Sequence, residues 1–213
     1  VEWFLYPLLA FLLGSIPFGR IIGRAAAHID VKEVGSRNIG ATNVAREVGL
    51  RWGVATLVLD GLKGAAPVLL VGAVAGDAAG PAEVCGLAAV AGHQFSPFLG
   101  FHGGKGVATA LGVFLAMEPM ACAAALGVFL LVVVLSDTIS LGSLSAACSI
   151  PLFLLLTGGP AERILVSLAV AGLILLAHRE NIGRIVRGEE RRWRGERAVQ
   201  PRRSRRRSSS SSE

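Results

Sequence analysis

The sequence predicts an all-α integral membrane protein of about seven transmembrane helices, one of them short, with the N-terminus outside and the C-terminus cytoplasmic. Three observations lead there. Of 213 residues, 53% are hydrophobic and 17% charged, with a mean hydropathy of +0.60, far from the balance of an average soluble domain. Apolar stretches approaching the ~20 residues that a spanning helix needs recur along the chain. Lys and Arg crowd into alternate links between those stretches, the asymmetry that sets membrane orientation.

Taken in order, the crossings fall at residues 3–23, 53–75, 83–100, 106–117, 120–135, 140–157 and 161–177. The first reads as a span rather than a signal peptide: no basic region precedes it, and Gly14-Ser15-Ile16-Pro17-Phe18-Gly19 follows without a small-x-small cleavage site. The second carries Asp60 and Lys63, three apart on one helical face, where ionisable groups are costly unless paired. An intrahelical ion pair supporting a site is the expectation. The fourth, about 12 residues, is shorter than a bilayer crossing and fits a half-helix or a thinned region. The cysteines Cys85, Cys122 and Cys148 lie in Ala/Leu/Val runs without paired spacing and are expected to be small buried residues.

Arg20, Arg24, Lys32, Arg37, Arg46 and Arg51 occupy the first link, Lys105 the third, and Arg179 and Arg184 the stretch after the last span. The links at 76–82, 118–119 and 158–160 hold no Lys or Arg. From Arg184 onward there are 11 Arg and 4 Glu, so this end carries +7 of a total of +6 and the body is near neutral. That placement points to anionic lipid rather than nucleic acid. The chain divides into a membrane domain at 1–190 and an Arg/Ser-rich cytoplasmic tail at 191–213, too poor in apolar residues to fold.

Every link rich in Gly, Ser, Asn, His and Lys falls on one side. The first, Gly35-Ser36-Arg37-Asn38-Ile39-Gly40-Ala41-Thr42-Asn43-Val44-Ala45-Arg46, combines small residues that let backbone N–H groups approach an anion with hydroxyls, amides and a guanidinium fork. The second runs from Gly92 to Thr109 and includes His102-Gly103-Gly104-Lys105-Gly106 directly before a helix. Glycines, one cation and a helix N-terminus there suit phosphate. It is not a Walker A loop, because Leu99 stands where the first glycine belongs and Gly106 where Ser or Thr must follow the lysine. Ser140 and Ser143 share one helical face, as do His178 and Asn181. Zinc spacing and a Gly-x-Ser-x-Gly nucleophile elbow are absent from the sequence.

In these ordered motifs, together with Asp60-Gly61-Leu62-Lys63-Gly64, Ser140-Leu141-Gly142-Ser143 and His178-Arg179-Glu180-Asn181-Ile182, the chain resembles the PlsY family, bacterial acyl-phosphate:glycerol-3-phosphate acyltransferases, to about Trp193. The His-x-x-x-x-Asp base pattern of the other large glycerolipid acyltransferase class does not occur. The resemblance implies transfer of a fatty acyl group from acyl phosphate to the 1-hydroxyl of glycerol 3-phosphate, giving lysophosphatidate and inorganic phosphate. It implies catalytic roles for Ser36, Arg46, Lys105, His178 and Asn181. Substrate and phosphate binding falls to Asn38, Thr42, Asn43, Gly103, Gly104, Gly106, Ser140 and Ser143. No cofactor, metal or obligate protein partner is implied. The location implied is the bacterial inner membrane, with the site facing the cytoplasm. Three positions depart from the family pattern: Arg37, His102 and Asp137, the last a carboxylate close to an anion site. The alternative reading is a small transporter of an organic phosphate, since broken helices and glycine loops also build transport sites.

Overall fold

The computed structural model describes residues 2–75 and 80–195; residues 196–213, which carry most of the expected disordered tail, lie outside the described residues. All regular elements among the described residues are helical: α1 (Glu2–Gly14), α2 (Phe18–Ala27), α3 (Ala41–Glu47), α4 (Leu50–Ala75), α5 (Pro81–Gln94), α6 (Val107–Met117), α7 (Pro119–Ser136), α8 (Ile139–Thr157), α9 (Ala161–Ala177) and α10 (Arg179–Val186), with one 3-10 turn at Pro97–Leu99.

Four stretches, Phe4–Ala27, Leu50–Val74, Pro119–Ser136 and Ile139–Thr157, are long and apolar enough to cross a membrane, and α9 with α10 makes a fifth bent by 64°. Against the seven expected crossings, α5 and α6 are short, at 14 and 11 residues. At 1.5 Å per residue α6 rises only about 16 Å.

The expected first span is broken. Pro17 has no N–H and steers the residue before it away from helix, so the chain parts at Ser15-Ile16-Pro17. The break frees carbonyls in a bundle with little water, where each needs a partner. Ser96 Oγ donates to the Ser15 carbonyl at 2.7 Å and Lys63 Nζ to that of Ile16 at 2.7 Å. Lys63 also pairs with Asp60 at 2.8 Å, both side chains 1% exposed. The expected ion pair is there, and it holds a broken helix in register.

Elsewhere the helices pack through backbone contact. α1 lies on α5 and α4 on α6, with Gly14 against Ala89, Gly92 against Phe11, Gly64 against Thr109 and Gly112 against Gly61. Such small-residue crossings let backbones approach where lipid supplies no hydrophobic drive. A Cβ at Gly112 would stand 1.9 Å from the Gly61 carbonyl oxygen. Gly112→Val is therefore expected to force α4 and α6 apart and to lower the yield of monodisperse detergent-purified protein at least several-fold.

The core runs between these helices through Val90, Val113, Phe114, Leu154, Val170 and Ile174. Leucines and valines such as Leu131, Leu135, Leu156 and Leu165 face outward, the exterior a lipid solvent allows. Cys85 and Cys122 are buried as expected, whereas Cys148 is exposed, on the outward face of α8. At the end away from the polar loops, Arg163 is an exception to the charge asymmetry, and Glu83 and Glu118 on neighbouring elements pair with it.

Candidate functional site at the polar end of the bundle

The loop between α2 and α3 is built around two polar side chains. Asp30 receives Arg20 Nη2 and Arg24 Nη2, each at 2.7 Å, and the Lys32 N–H at 3.1 Å. Arg20 foremost, with the Lys32 amide and Arg24, holds the Asp30 pKa down at about 2, against the opposing effect of burial. Asn43, buried on α3, accepts the Ser36 N–H at 2.9 Å and donates to the carbonyls of Val31 and Asn38, both at 2.9 Å. Its amide is thereby spent on shaping the loop. Asn38 likewise accepts the Gly40 N–H at 2.8 Å, an Asx turn that starts α3. Ser36, exposed, and Thr42 and Arg46, half-buried on α3, present their side chains along the loop. Lys32 Nζ reaches across to the His102 carbonyl at 2.8 Å and ties this loop to the glycine loop.

The glycine loop is recessed between the short helices α5 and α6. The Gly103 and Gly104 N–H groups donate to the carbonyls of Gln94 and His93 at 2.9 and 3.0 Å, closing the end of α5 rather than facing an anion. A Cβ at Gly104 would collide with the His93 ring at 2.1 Å; Gly104 is packed against that ring and does not reach the cavity. Gly106, at φ 80, caps α6. The turn leaves Lys105 pointing inward, its Nζ donating to Asn181 Oδ1 at 2.6 Å. Burial lowers the Lys105 pKa to about 8, with Glu190 opposing and Arg184 reinforcing the shift.

The third wall comes from α8 and the α9–α10 bend. Ser143 bonds back to the Ile139 carbonyl at 2.9 Å. His178, 2% exposed, sits at the bend with Nδ1 2.8 Å from the Ile174 carbonyl. A carbonyl only accepts, so in the neutral ring Nδ1 carries the proton and Nε2 is left with its lone pair. Burial, then the Lys105 charge, lowers the His178 pKa to about 4.

Glu190 joins these parts. Its Oε1 accepts from Ser140 Oγ at 2.8 Å and from Asn181 Nδ2 at 2.5 Å, and its Oε2 accepts from Arg184 Nε at 2.7 Å. Burial alone would raise its pKa, yet the bonds from Asn181, Ser140 and Arg184 prevail and lower it. Neither Arg184 nor Glu190 stood among the expected site residues. Arg184 had a signal, being three residues beyond Asn181 as Asn181 is beyond His178. Glu190 lies in irregular chain, where no periodicity marks a face.

Together the elements enclose a cavity of about 740 Å³. Ser36, Asn38, Thr42, Asn43, Arg46, Gly103, Lys105, Gly106, Ser140, Ser143, His178 and Asn181 line it; of the expected site residues Gly104 alone does not. Asp60 and His93 also reach its wall, as do the apolar Leu57, Phe129 and Ile139. Asp137 does not: the residue adopts φ 56 at the end of α7, and its carboxylate accepts the Arg194 N–H at 3.2 Å, away from the cavity. The lining thus combines lysine, arginines, amides and hydroxyls suited to phosphate oxygens with apolar side chains.

A family model described as glycerol-3-phosphate acyltransferase matches residues 4–188. Glycerol-3-phosphate acyltransferases of Desulfotalea psychrophila and Aquifex aeolicus are 47% and 41% identical to this chain, over 89% and 87% of it and 98% and 96% of their own lengths. The crystal structure of PlsY, an integral membrane glycerol 3-phosphate acyltransferase, in its glycerol 3-phosphate form superposes with a TM-score of 0.86 at 40% identity, covering 90% of this chain and 96% of that one. The lysophosphatidic acid form gives 0.85 at 39% identity, covering 90% and 95%. With its sequence matched almost end to end and its fold shared at this identity, the chain belongs to the glycerol-3-phosphate acyltransferase family of integral membrane enzymes.

Proposed function

We propose that the cavity takes a fatty acyl group from acyl phosphate to the 1-hydroxyl of glycerol 3-phosphate, releasing inorganic phosphate and leaving lysophosphatidate in the membrane. Acyl transfer to glycerol 3-phosphate is the family's activity; the donor and the route rest on the cavity. The observation that carries them is a single cavity lined both by cations and amides and by apolar side chains. Phosphates sit against Lys105, Arg46 and Arg184, while the acyl chain runs along Leu57, Phe129 and Ile139.

Acyl phosphate brings its own leaving group, so no acyl-enzyme is required. The hydroxyl attacks the acyl carbon, the bond to the phosphate oxygen breaks, and Lys105 with Arg46 stabilises the charge gathering on the departing phosphate. The hydroxyl proton goes either to the phosphate of a bound substrate or to His178 Nε2, which the tautomer above leaves free to accept it. Purified protein given acyl phosphate alone should show no acyl adduct by intact mass spectrometry. A stoichiometric adduct would overturn the direct route. His178→Ala divides the two proton acceptors: near-normal turnover removes histidine as an obligatory base.

The pH profile follows from Lys105. Its ammonium is the useful form, and with a pKa of about 8 its population falls tenfold per unit above that value. The expected profile of kcat/KM therefore has an alkaline limb near pH 8, and a flat profile to pH 10 would contradict the role given to Lys105.

The topology fits seven crossings with the N-terminus outside and the site facing the cytoplasm of a bacterial inner membrane. Lys105 before α6 and Ser140 at the start of α8 line one cavity, which supports α6 and α7 running out and back despite the shortness of α6. The loops meeting there carry the Lys and Arg that orientation retains inside. Glycerol 3-phosphate enters from that side, and the lipid product leaves sideways.

A further inference from the structure

Beyond α10 the chain does not leave the protein. Gly188, at φ 70, turns it back, and residues 188–195 cross from α10 to the α7–α8 junction and to α3. Two anchors hold this strap. Glu190 binds Ser140, Asn181 and Arg184, as described. At the other end the Trp193 N–H donates to the Asp137 carbonyl at 2.8 Å, and the next amide, of Arg194, donates to both Asp137 carboxylate oxygens at 3.2 and 3.3 Å. Asp137, in the left-handed region at φ 56, thus serves two successive amides, one with its carbonyl and one with its carboxylate.

Between the anchors Trp193 is turned inward. It is half-buried while Arg191, Arg192, Arg194 and Gly195 are exposed, and its ring lies 5.6 Å from the Arg46 guanidinium carbon, within cation–π range. Arg46 is a flexible side chain on the short helix α3, and an aromatic face stacked on its planar guanidinium limits the directions it can take.

We propose that Trp193, held on this strap by Asp137, is a positioning residue that presents Arg46 to the phosphate of a substrate. The proposal rests on the reading above that Arg46 binds substrate. It also gives Asp137, the carboxylate that departs from the family pattern, a role away from the anion: it latches the strap.

The test uses full-length protein purified in detergent, with KM measured for glycerol 3-phosphate and for acyl phosphate. Trp193→Ala should raise one of the two about two- to five-fold, the size of an exposed cation–π contact, with kcat changed less. Trp193→Phe should restore most of it. Asp137→Gly, which keeps the left-handed backbone and removes the carboxylate, should shift KM in the same sense. In an Arg46→Ala background, Trp193→Ala should add nothing further. An equal added rise there, or unchanged KM values for Trp193→Ala in the parent, overturns the proposal. A second readout needs no turnover: in a Trp3→Phe, Trp52→Phe chain, Arg46→Ala should change the emission of Trp193, and unchanged emission overturns the contact. If Arg46→Ala itself leaves both KM values at the parental level, the substrate role of Arg46 fails instead, and the emission experiment still decides whether Trp193 holds it.

Discussion

Replacing Lys105 by alanine should lower kcat/KM for acyl transfer by roughly 100- to 1,000-fold, the usual cost of removing one preorganised donor from developing negative charge in a secluded site. Several features of the structure single out Lys105. It is the cation on the glycine loop, its ammonium is already drawn to Asn181 at 2.6 Å, and it lines the cavity together with Arg46 and His178. Lys105→Arg should recover part of the charge but not the reach, because the turn at Gly106 and the packing of Gly104 on His93 leave little room to move the loop. Phosphate release measures both variants, and undiminished turnover in Lys105→Ala would remove the site from consideration.

The second large effect is on stability. Asp60→Ala strands the Lys63 ammonium in a position only 3% exposed, and breaking a buried pair from one side costs about 3–5 kcal/mol. The loss should appear as a marked drop in thermal unfolding midpoint in detergent. The double variant Asp60→Leu, Lys63→Met removes both charges and should recover much of it. Recovery should stop short, because Lys63 also serves the Ile16 carbonyl, and an unsatisfied buried carbonyl costs about 1–3 kcal/mol. A double variant no better than Asp60→Ala would show that the loss comes not from the stranded ammonium but from the bond Lys63 makes to the Ile16 carbonyl at the α1–α2 break.

The fold class was legible because lipid demands apolar length, and composition reports that directly. The ends of the helices were less legible. Residues 3–23 read as one span by hydropathy, but the chain breaks at Pro17, and the partners that make the break tolerable, Ser96 and Lys63, are 81 and 47 residues away from the carbonyls they serve. Periodicity cannot see such distant compensation. For the site, the ordered motifs and the family resemblance they carry pointed to Arg46, Lys105, Ser140, His178 and Asn181, all of which line one cavity. The roles within the motifs were harder to read. Asn43 reads as a donor to an anion, yet its amide holds the loop; Gly103 and Gly104 read as anion-facing N–H groups, yet they close α5. A motif states which groups must be close, and the structure states which of them is already occupied. Trp193 was missed for a related reason: it lies where the sequence turns basic and composition assigns it to the tail, and Glu190 stands at that boundary in irregular chain.

The most direct test of the central claim is phosphate release from acyl phosphate by detergent-purified protein, with no sealed compartment, in the presence and absence of glycerol 3-phosphate. Release is expected only when glycerol 3-phosphate is present, with one lysophosphatidate formed per phosphate. Release at the same rate without glycerol 3-phosphate, or none with both substrates supplied, would contradict it.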